Sequence, residues 1–447
     1  MLLNQDTIAA IATPPGNGGV GIIRISGTKV TEIAKIILNK DIVSRQAIFS
    51  SFLNEDKSII DSGICIYFPA PASYTGEDTL ELQGHGGAVV LDMLLRRVIE
   101  VGARIAKPGE FTERAFLNGK LDLTQAEAVA DLIESTTEQS VRSAQRSLQG
   151  VFSAQINELV TQLTELRIYV EAAIDFVEEE IDFLSDGIVE NRINRIIQKI
   201  NHIQKSAQQG SLLREGMTVV LVGKPNAGKS SLLNALAGHD VAIVTDIAGT
   251  TRDILRERIQ LDGMPLHIID TAGLRISDNS IEKEGIRRAH LEIQKADKIL
   301  LLIDIRDSEC EEVLRTLPTN IPITKVYNKI DLVGKEPNII KTGDGYSCYV
   351  SVKKEIGLDL LKEHLKDSVG YEVATDNVFI ARRRHIEAIR LGGEYVHSAL
   401  NQLNISKAGE LVAEDLRLAQ ISFSEITGSV SSDDLLGKIF SSFCIGK

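Results

Sequence analysis

A glycine-rich segment near the middle of the chain carries the residue types that hold phosphate groups. Residues 223–230 read Gly-Lys-Pro-Asn-Ala-Gly-Lys-Ser and match the GxxxxGK[ST] phosphate-binding loop. An apolar strand pattern precedes the segment and a helical pattern follows it, as this loop requires. The glycines let backbone N–H groups face the phosphates, Lys229 should reach the β- and γ-phosphates, and Ser230 should bind magnesium. The residues predicted to contact the nucleotide here are Asn226, Ala227, Gly228, Lys229, Ser230 and Ser231.

Three later segments predict that the base of this nucleotide is guanine. A strand pattern at 266–270 leads into Asp-x-x-Gly, which faces the magnesium ion in P-loop GTPases. Residues 328–331 read Asn-Lys-Ile-Asp, in which Asp331 would accept from the N1–H and N2–H₂ edge that adenine lacks. The wrong base would leave these polar groups unpaired, so such a site is selective. Residues 351–353 fit the loop that closes over the base. The residues assigned to GTP in these segments are Asp270, Thr271, Ala272, Gly273, Asn328, Lys329, Asp331, Ser351, Val352 and Lys353.

The position that orients the attacking water in Ras-like enzymes holds Leu274 instead of a glutamine. Glu282, at the start of the next predicted helix, is one candidate for that role. The loop 245–253 is the other, because its oxygens suit a second magnesium ligand, Thr251, and a cage for a monovalent cation. Asn226 is the candidate side-chain ligand of that cation; the alternative is that it only caps the phosphate loop. The rival charge donors are Arg252, Arg256 and Arg275. The residues of this loop assigned to GTP are Thr245, Asp246, Ile247, Ala248, Gly249, Thr250 and Thr251.

Composition limits the classes of protein to which the chain can belong. Its 447 residues suggest about three domains, and 43% hydrophobic with 25% charged residues indicates a globular protein. The net charge of −13 excludes a uniformly basic nucleic-acid binder but leaves binding through a local patch open. No apolar run approaches the ~18 residues of a membrane span, and no secretion or import signal is expected. The four scattered cysteines favour a reducing cytoplasm over a disulfide framework or a zinc site.

Proline and apolar spacing divide the chain into segments that must position these residues. Short β-branched runs and intervening helices in 1–120 predict an α+β domain. Apolar residues at i, i+3, i+4 and i+7 predict long helices in 121–215 and 372–447, and we expect the two stretches to form one discontinuous helical domain. Between them, strands and helices alternate in 216–371, which predicts an inserted Ras-like P-loop domain with a parallel sheet. The predicted fold class is therefore multidomain α/β.

The chain resembles the MnmE (TrmE) family of tRNA-modification GTPases over essentially its whole length. No motif position departs from the family pattern. The segments that carry the resemblance are Ala-Thr-Pro-Pro-Gly at 12–16, Gly-Gly-Val-Gly at 18–21, Tyr-Thr-Gly-Glu-Asp at 74–78, Glu-Leu-Gln-Gly-His-Gly-Gly at 81–87, Pro-Gly-Glu-Phe-Thr at 108–112, Asp-Ile-Ala-Gly-Thr-Thr-Arg-Asp at 246–253 and Phe-Cys-Ile-Gly-Lys at 443–447.

The resemblance implies an N-terminal folate-binding and dimerising domain, a helical domain and an inserted G domain. It implies a homodimer whose GTP hydrolysis is stimulated by potassium, with Glu282 orienting the water. With an FAD-dependent MnmG-type partner, such proteins install a carboxymethylaminomethyl-type group on C5 of the tRNA wobble uridine, and a tetrahydrofolate derivative supplies the one-carbon unit. Cys444 is implicated in that chemistry. The implied potassium ligands are Asn226, Thr245, Ile247 and Thr250. The implied folate-binding residues are Arg24, Glu81, Lys120 and Lys447.

Other interpretations of these residues stay open at the level of sequence. Arg24 and Lys120 taken singly are also typical of solvated surface charges, and Glu81 of a salt bridge at a sheet edge. Cys444 fits a prenylation signal poorly but could be a half-buried terminal cysteine. His85, between glycines, suits a binding residue and a turn residue equally. A GTP-switched RNA-binding or ribosome-assembly protein, or a mechanical GTPase that assembles through its helices, would share the G-domain motifs.

Overall fold

The computed structural model describes most of the chain. The described residues are 6–175, 187–238, 256–270, 294, 296–307, 311–315, 317–343, 345–372, 378–406, 408–430 and 433–446. Two compact units are distinguished within it. The first comprises Met1–Ala130, Ser147–Ile196 and Leu391–Lys447, and the second comprises Asp131–Arg146 and Ile197–Arg390. Among the described helices, none is long and apolar enough to cross a membrane.

The first unit contains a six-stranded, mostly antiparallel sheet. Its strands are β1 (Ile8–Ile11), β2 (Gly18–Ser26), β3 (Ile48–Leu53), β4 (Ile59–Phe68), β5 (Thr79–Gly86) and β6 (Arg104–Ile105). Their order is β3-β4-β5-β2-β1-β6, and only β1 and β6 run parallel. Side chains alternate across β2, so that Ile23 and Ile25 are buried while Arg24 lies on the opposite face. The sheet therefore separates an apolar core from a polar row.

Two amphipathic helices complete the core of this sheet. They are α1 (Val30–Leu38) and α2 (Ala88–Glu100). Both bury apolar residues at helical spacing, including Ile33 and Ile37 on α1 and Leu94 and Val98 on α2. Each large side chain buried in this way contributes about 1.5–3 kcal/mol relative to leaving it in water. The predicted α+β architecture of the N-terminal segment is thus present.

A buried arginine fastens the next helix, α3 (Glu110–Leu117), to the same region. Arg114 is only 6% exposed, and its guanidinium donates to Asp6 at 2.8 Å, to Glu77 at 3.0 Å and to Glu110 at 3.1 Å. Burial disfavours the charged Glu110 carboxylate, but hydrogen bonds from Arg104, Arg114 and a backbone amide hold its pKa below the usual value. Removing one member of such a network costs about 3–5 kcal/mol, because the remaining charges stay buried.

Most of the remaining described residues outside a second sheet are helical. The further helices are α4 (Leu123–Glu134), α5 (Glu138–Leu148), α6 (Val151–Asp175), α7 (Ile188–Glu215), α8 (Lys229–Ala237), α9 (Glu311–Leu314), α10 (Leu358–Ser368), α11 (Arg383–Asn401), α12 (Gly409–Thr427) and α13 (Asp433–Ser441). Within the first unit, α6 and α12 pack along each other, and Arg167 donates to the Gln420 side chain at 2.7 Å. This packing of helices distant in sequence confirms the predicted discontinuous helical domain.

The end of the chain packs on the beginning of the helical part. A buried apolar cluster unites α4 and α13, and Phe116 of α3 packs against it. Beyond α13, the Cys444 carbonyl accepts from the Gly109 amide at 3.3 Å. The cluster comprises Leu123, Ala126, Leu436, Ile439, Phe440 and Phe443. The C-terminal motif is thereby held beside the start of α3.

The second unit is built on a seven-stranded sheet. Its strands are β7 (Met217–Val222), β8 (Arg256–Leu261), β9 (Met264–Asp270), β10 (Lys298–Asp304), β11 (Ile323–Asn328), β12 (Asn338–Thr342) and β13 (Gly345–Tyr349). The order is β12-β13-β11-β10-β7-β9-β8, with antiparallel strands only at the two edges. The central strands are nearly continuous apolar runs because parallel strands are covered on both faces. Helices α8 and α10 share the main core of this sheet.

The predicted fold class is confirmed: an α+β N-terminal part, a discontinuous helical domain and an inserted domain with a parallel sheet. The domain limits 1–120, 121–215, 216–371 and 372–447 stay predictions. For function, the important consequence is that β7, β10, β11 and β13 run parallel. Their carboxyl ends therefore meet at one edge of the sheet, where ligands bind in α/β folds.

Candidate functional site

The predicted phosphate-binding loop connects β7 to α8, which begins at Lys229. Gly228 has φ +102°, and a Cβ there would lie 2.5 Å from the Asn328 side-chain nitrogen, so only glycine fits. Asn226 also lies in the left-handed region, with φ +64°. Lys229 folds back over the loop, and its Nζ donates to the Gly223 carbonyl at 2.7 Å and to the Lys224 carbonyl at 3.1 Å. The lysine charge is thus placed inside the concave loop that phosphates would enter.

Asn328 joins this loop to the segments predicted to hold the base. Its Nδ2 donates to the Ala227 carbonyl at 2.9 Å, and its Oδ1 accepts from the amides of Lys329 at 2.8 Å and Val352 at 3.0 Å. The residue is buried, with every one of these contacts made inside the fold. Asn328 therefore ties three loops together, so its predicted role in the guanine motif is accompanied by a structural one.

Lys329 and Asp304 form an ion pair at the end of β10. The Lys329 Nζ donates to Asp304 Oδ2 at 2.8 Å and to the Asn226 carbonyl at 2.9 Å. Hydrogen bonds from Arg306 and then Lys329 hold the pKa of Asp304 far below the usual aspartate value, so the carboxylate stays charged. Asp304 was missing from the predicted site. Its signal in the sequence was its place directly after an apolar parallel strand beside the phosphate-binding loop.

Asp331, the last residue of the Asn-Lys-Ile-Asp motif, borders the same cavity as Lys229. Its Oδ1 accepts from the Ser351 hydroxyl at 2.6 Å, and its exposed carboxylate borders a cavity of about 1130 Å³. This cavity is large enough for a nucleotide. The predicted residues that line it are Asn226, Gly228, Lys229, Ser230, Ser231, Asn328, Lys329, Asp331, Val352 and Lys353. The sequence analysis did not include Asn234, Ala235, Arg306 and Glu355, which also border it.

Part of the predicted site lies outside the described residues. These residues are Thr245, Asp246, Ile247, Ala248, Gly249, Thr250, Thr251, Thr271, Ala272, Gly273, Glu282 and Lys447. For Asp270, the structure describes the backbone at the end of β9. In the described part of the chain, no group of three or more His, Cys, Asp and Glu side chains could hold a metal ion. The exposed Ser230 and Asn226, which both line the cavity, are the described members of the predicted magnesium and potassium sites.

A second predicted site lies on the sheet of the first unit. Arg24 on β2 faces Glu81 on β5 in register, and its guanidinium contacts Glu81 Oε1 at 3.0 Å through both Nε and Nη2. Gln83 donates to the second carboxylate oxygen at 3.2 Å. The Arg24 guanidinium also lies over the rings of Tyr74, at 5.7 Å, and Phe111, at 5.9 Å. Both charged side chains remain partly exposed, as a ligand-binding pair must.

The C-terminal segment reaches this pair. Arg24 Nη1 lies 3.5 Å from the Gly446 carbonyl, and Cys444, two residues earlier, is an exposed free thiol. The Lys120 Nζ donates to the Pro71 carbonyl at 3.2 Å. The structure thus brings Arg24, Glu81 and the terminal cysteine segment together. Lys120 is held by the segment that leads to Tyr74.

Two family models match the chain and together cover nearly all of it. The model described as the N-terminus of the GTP-binding protein TrmE matches residues 7–120, and the model described as the MnmE helical domain matches residues 123–444.

Similar proteins extend over the full length. The tRNA modification GTPase MnmE of Proteus mirabilis is 56% identical over 452 residues, covering 99% of this chain and 100% of the relative. The protein of the same name from Hydrogenovibrio crunogenus is 56% identical over 446 residues and covers 99% of both chains. Among solved structures, the G domain of the T. maritima FeoB iron transporter is 27% identical over 34% of this chain and 98% of that one, with a TM-score of 0.26.

The matched models and the full-length relatives confirm the resemblance predicted from the motifs, and with it the prediction of a GTPase enzyme. The chain belongs to the MnmE (TrmE) family of tRNA modification GTPases.

Proposed function

We propose that this protein is a potassium-activated GTPase that works as a cytoplasmic homodimer with an FAD-dependent MnmG-type partner. Together they add a carboxymethylaminomethyl-type group to C5 of the tRNA wobble uridine, with a one-carbon unit from a tetrahydrofolate derivative. The observation that carries the proposal is the meeting of Arg24, Glu81 and the segment of Cys444 in one unit. A GTPase that only switches its affinity for RNA has no need of such a second site.

The nucleotide half of the proposal assigns roles along the cavity. Lys229 and the loop amides hold the β- and γ-phosphates, and Asp331 accepts from the guanine N1–H and N2–H₂ edge. The Lys329 ammonium group is held by Asp304, and this ion pair supports the base-binding segment. Val352 and Lys353 cover the base.

The metal assignments rest on two described residues and on family positions outside the described ranges. Ser230 and Thr251 would hold magnesium. Asn226, Thr245, Ile247 and Thr250 would hold potassium, while Glu282 orients the water. The Asn226 side chain is exposed at the cavity, so its oxygen fits the role of a cation ligand. The backbone carbonyl of Asn226 is already engaged by Lys329. When bound, both cations supply positive charge beside the phosphates, where transition-state charge develops.

The part of the proposal that concerns folate rests on charge complementarity between the ligand and the second site. A pterin presents an amide and amino edge, and Glu81 Oε2 would accept from it in place of the Gln83 amide. The glutamate tail of the ligand suits cations, which Arg24, Lys120 and Lys447 would supply. The exposed Cys444 thiol lies close enough in the chain to serve the same site.

Exchanging potassium for sodium should slow GTP hydrolysis by at least tenfold. The reason is that potassium, the larger of the two ions, supplies positive charge beside the phosphates, where an arginine would otherwise act. The comparison is made at constant ionic strength, with phosphate release as the measurement. Asn226→Ala should remove the difference between the two ions while leaving nucleotide binding measurable. Equal rates in both salts with the unaltered protein would leave Asn226 as a plain loop residue.

Mass spectrometry of tRNA nucleosides tests the proposal as a whole. Cells that lack the protein should accumulate wobble uridine that is unmodified at C5, and the unaltered gene should restore the modification. The alternative, a GTP-switched RNA-binding or ribosome-assembly protein, predicts unchanged nucleosides together with a defect in ribosomal subunits. That second pattern would overturn the proposal.

A further inference from the structure

A buried aspartate orients an exposed histidine on the sheet that carries Arg24 and Glu81. Asp61 on β4 is 10% exposed, whereas the His85 side chain on β5 is 74% exposed. The His85 backbone amide donates to Asp61 Oδ2 at 2.7 Å, and His85 Nδ1 lies 2.7 Å from Asp61 Oδ1. The same oxygen accepts from the Ser62 amide at 2.8 Å. Both the backbone and the ring of His85 are therefore fixed by one carboxylate.

Local sequence makes room for this carboxylate. A Cβ on Gly84 would lie 2.4 Å from Asp61 Oδ2, so a larger residue at position 84 would displace the aspartate. Burial disfavours the charged form of Asp61, but the hydrogen bonds from His85 and Ser62 outweigh it and hold its pKa below the usual value. A charged carboxylate only accepts, so the network assigns the proton to Nδ1. In the neutral ring, Nε2 then carries the free lone pair, and the side chain as a whole is 74% exposed.

This arrangement is the one in which histidine takes up protons. A carboxylate on Nδ1 selects the tautomer, aims the ring and stabilises the imidazolium that forms. A pair with only a structural role would gain nothing from leaving the ring in water. In this pair the Asp61 carboxylate is buried and orients the ring, whereas the His85 ring that it orients is exposed. The geometry therefore provides a base at the surface of the sheet.

His85 lies on the same surface as the predicted folate site. Along β5, residues 81, 83 and 85 alternate with the fully buried Leu80 and Leu82. Gln83 already bonds to Glu81, so a continuous polar row runs along the strand. Four residues of extended chain span about 13 Å, which a folate-sized ligand or a nucleotide placed against Arg24 and Glu81 could bridge.

The proposed chemistry needs a proton acceptor. Substitution at C5 of a uracil ring requires loss of the proton on C5. Of the residues assigned to the second site, Arg24, Lys120 and Lys447 are cations, and both Glu81 oxygens are engaged by Arg24 and Gln83. His85 is a further candidate on the same strand as Glu81.

We propose that His85, oriented by Asp61, accepts the proton that leaves C5 of the uridine; this inference rests on the proposed function. The C5–C6 π pair forms a bond from C5 to the one-carbon unit, which the folate nitrogen carries as an iminium, and the π pair of that C=N bond passes to the nitrogen. The C5–H bond then breaks, and its electron pair restores the C5–C6 double bond. The proton passes to His85 Nε2 and then to water. Asp61 stays ionised throughout and acts as a positioning residue.

The test uses the full-length protein with its FAD-dependent partner, tRNA, GTP and the folate. His85→Ala should slow formation of the modified uridine at least about 10²-fold, as loss of a general base does, while GTP hydrolysis stays within twofold of the unaltered protein. Added imidazole should restore part of the lost rate. Asp61→Asn should cost about 10-fold. His202→Ala, which alters another exposed histidine, is the matched control and should change neither reaction.

A second readout does not depend on turnover. Diethyl pyrocarbonate, which attacks a neutral imidazole nitrogen, should label His85 faster than His202 in the protein alone, and Asp61→Asn should abolish the difference. Modification by His85→Ala within threefold of the unaltered rate, or a loss that imidazole does not restore, overturns the proposal. If the unaltered protein makes no modified uridine in the same reaction, the proposed function itself fails, which is a separate result.

Discussion

Replacing Asp331 with asparagine is expected to change the preferred base from guanine to xanthine. The Asp331 carboxylate borders the cavity, and among the described residues it accepts only from the Ser351 hydroxyl, on one oxygen, so its second oxygen is available to a ligand. Asparagine offers an N–H where guanine also has one, but xanthine presents a carbonyl there. Affinity for GTP should fall about 10⁴-fold, the scale at which a site built for a hydrogen bond rejects an unmatched ligand. Binding of GTP and XTP by calorimetry measures the change.

The matched control is Asp359→Asn, an exposed aspartate in the first turn of α10 that does not line the cavity. It should bind both nucleotides as the unaltered protein does. Retained selectivity for guanine in Asp331→Asn would show that the carboxylate does not contact the base. Loss of both nucleotides together with a lower melting temperature would instead assign the residue to folding through Ser351.

Cys444→Ser should abolish wobble-uridine modification and leave GTP hydrolysis unchanged. The thiol is exposed, and the chain beside it contacts Arg24 through the Gly446 carbonyl, whereas Cys65 and Cys348 are buried in the two sheets. A hydroxyl has nearly the same size but is a far weaker nucleophile, because almost none of it is ionised near neutral pH. Nucleoside analysis and phosphate release, measured on the same reaction, separate the two activities.

Ser442→Ala is the control for disturbance of the terminal segment, since this neighbouring hydroxyl bonds only to the local helix end. It should retain both activities. Full modification by Cys444→Ser would remove the thiol from the chemistry. A parallel fall in GTP hydrolysis would mean that the substitution disturbs the fold of the first unit and not a reaction step.

The sequence could bring together the residues that line the cavity because they lie at or beyond the carboxyl ends of parallel strands. Asn328 ends β11, whereas Lys229 and Ser351 follow β7 and β13, and the carboxyl ends of such strands meet by geometry alone. Asp304 follows the same rule, but a single carboxylate after a strand has no spacing pattern to mark it. The chemistry of hydrolysis stays a prediction, since Glu282 and the loop from Thr245 to Thr251 lie outside the described residues.

Contacts between distant segments could not be predicted in the same way. Arg114 binds Asp6 and Glu77 across 108 and 37 residues of chain, and nothing in its local sequence distinguishes it from a surface arginine. The pairing of Asp61 with His85 depends on strand register and on Gly84, which become visible only once β4 and β5 are aligned. Patterns predict elements, whereas partners across a sheet require the fold.

The three hydrogen bonds of the Asn328 side-chain amide affect how the product nucleotide leaves the site. One side-chain amide joins the loop predicted to hold the phosphates to both segments predicted to border the base. The diphosphate end of the product cannot be released while its purine end stays bound, because the Asn328 side chain holds the loops at both ends. Exchange should therefore be a single concerted opening, and a partner that pulls on any one of these loops would accelerate release of the whole molecule.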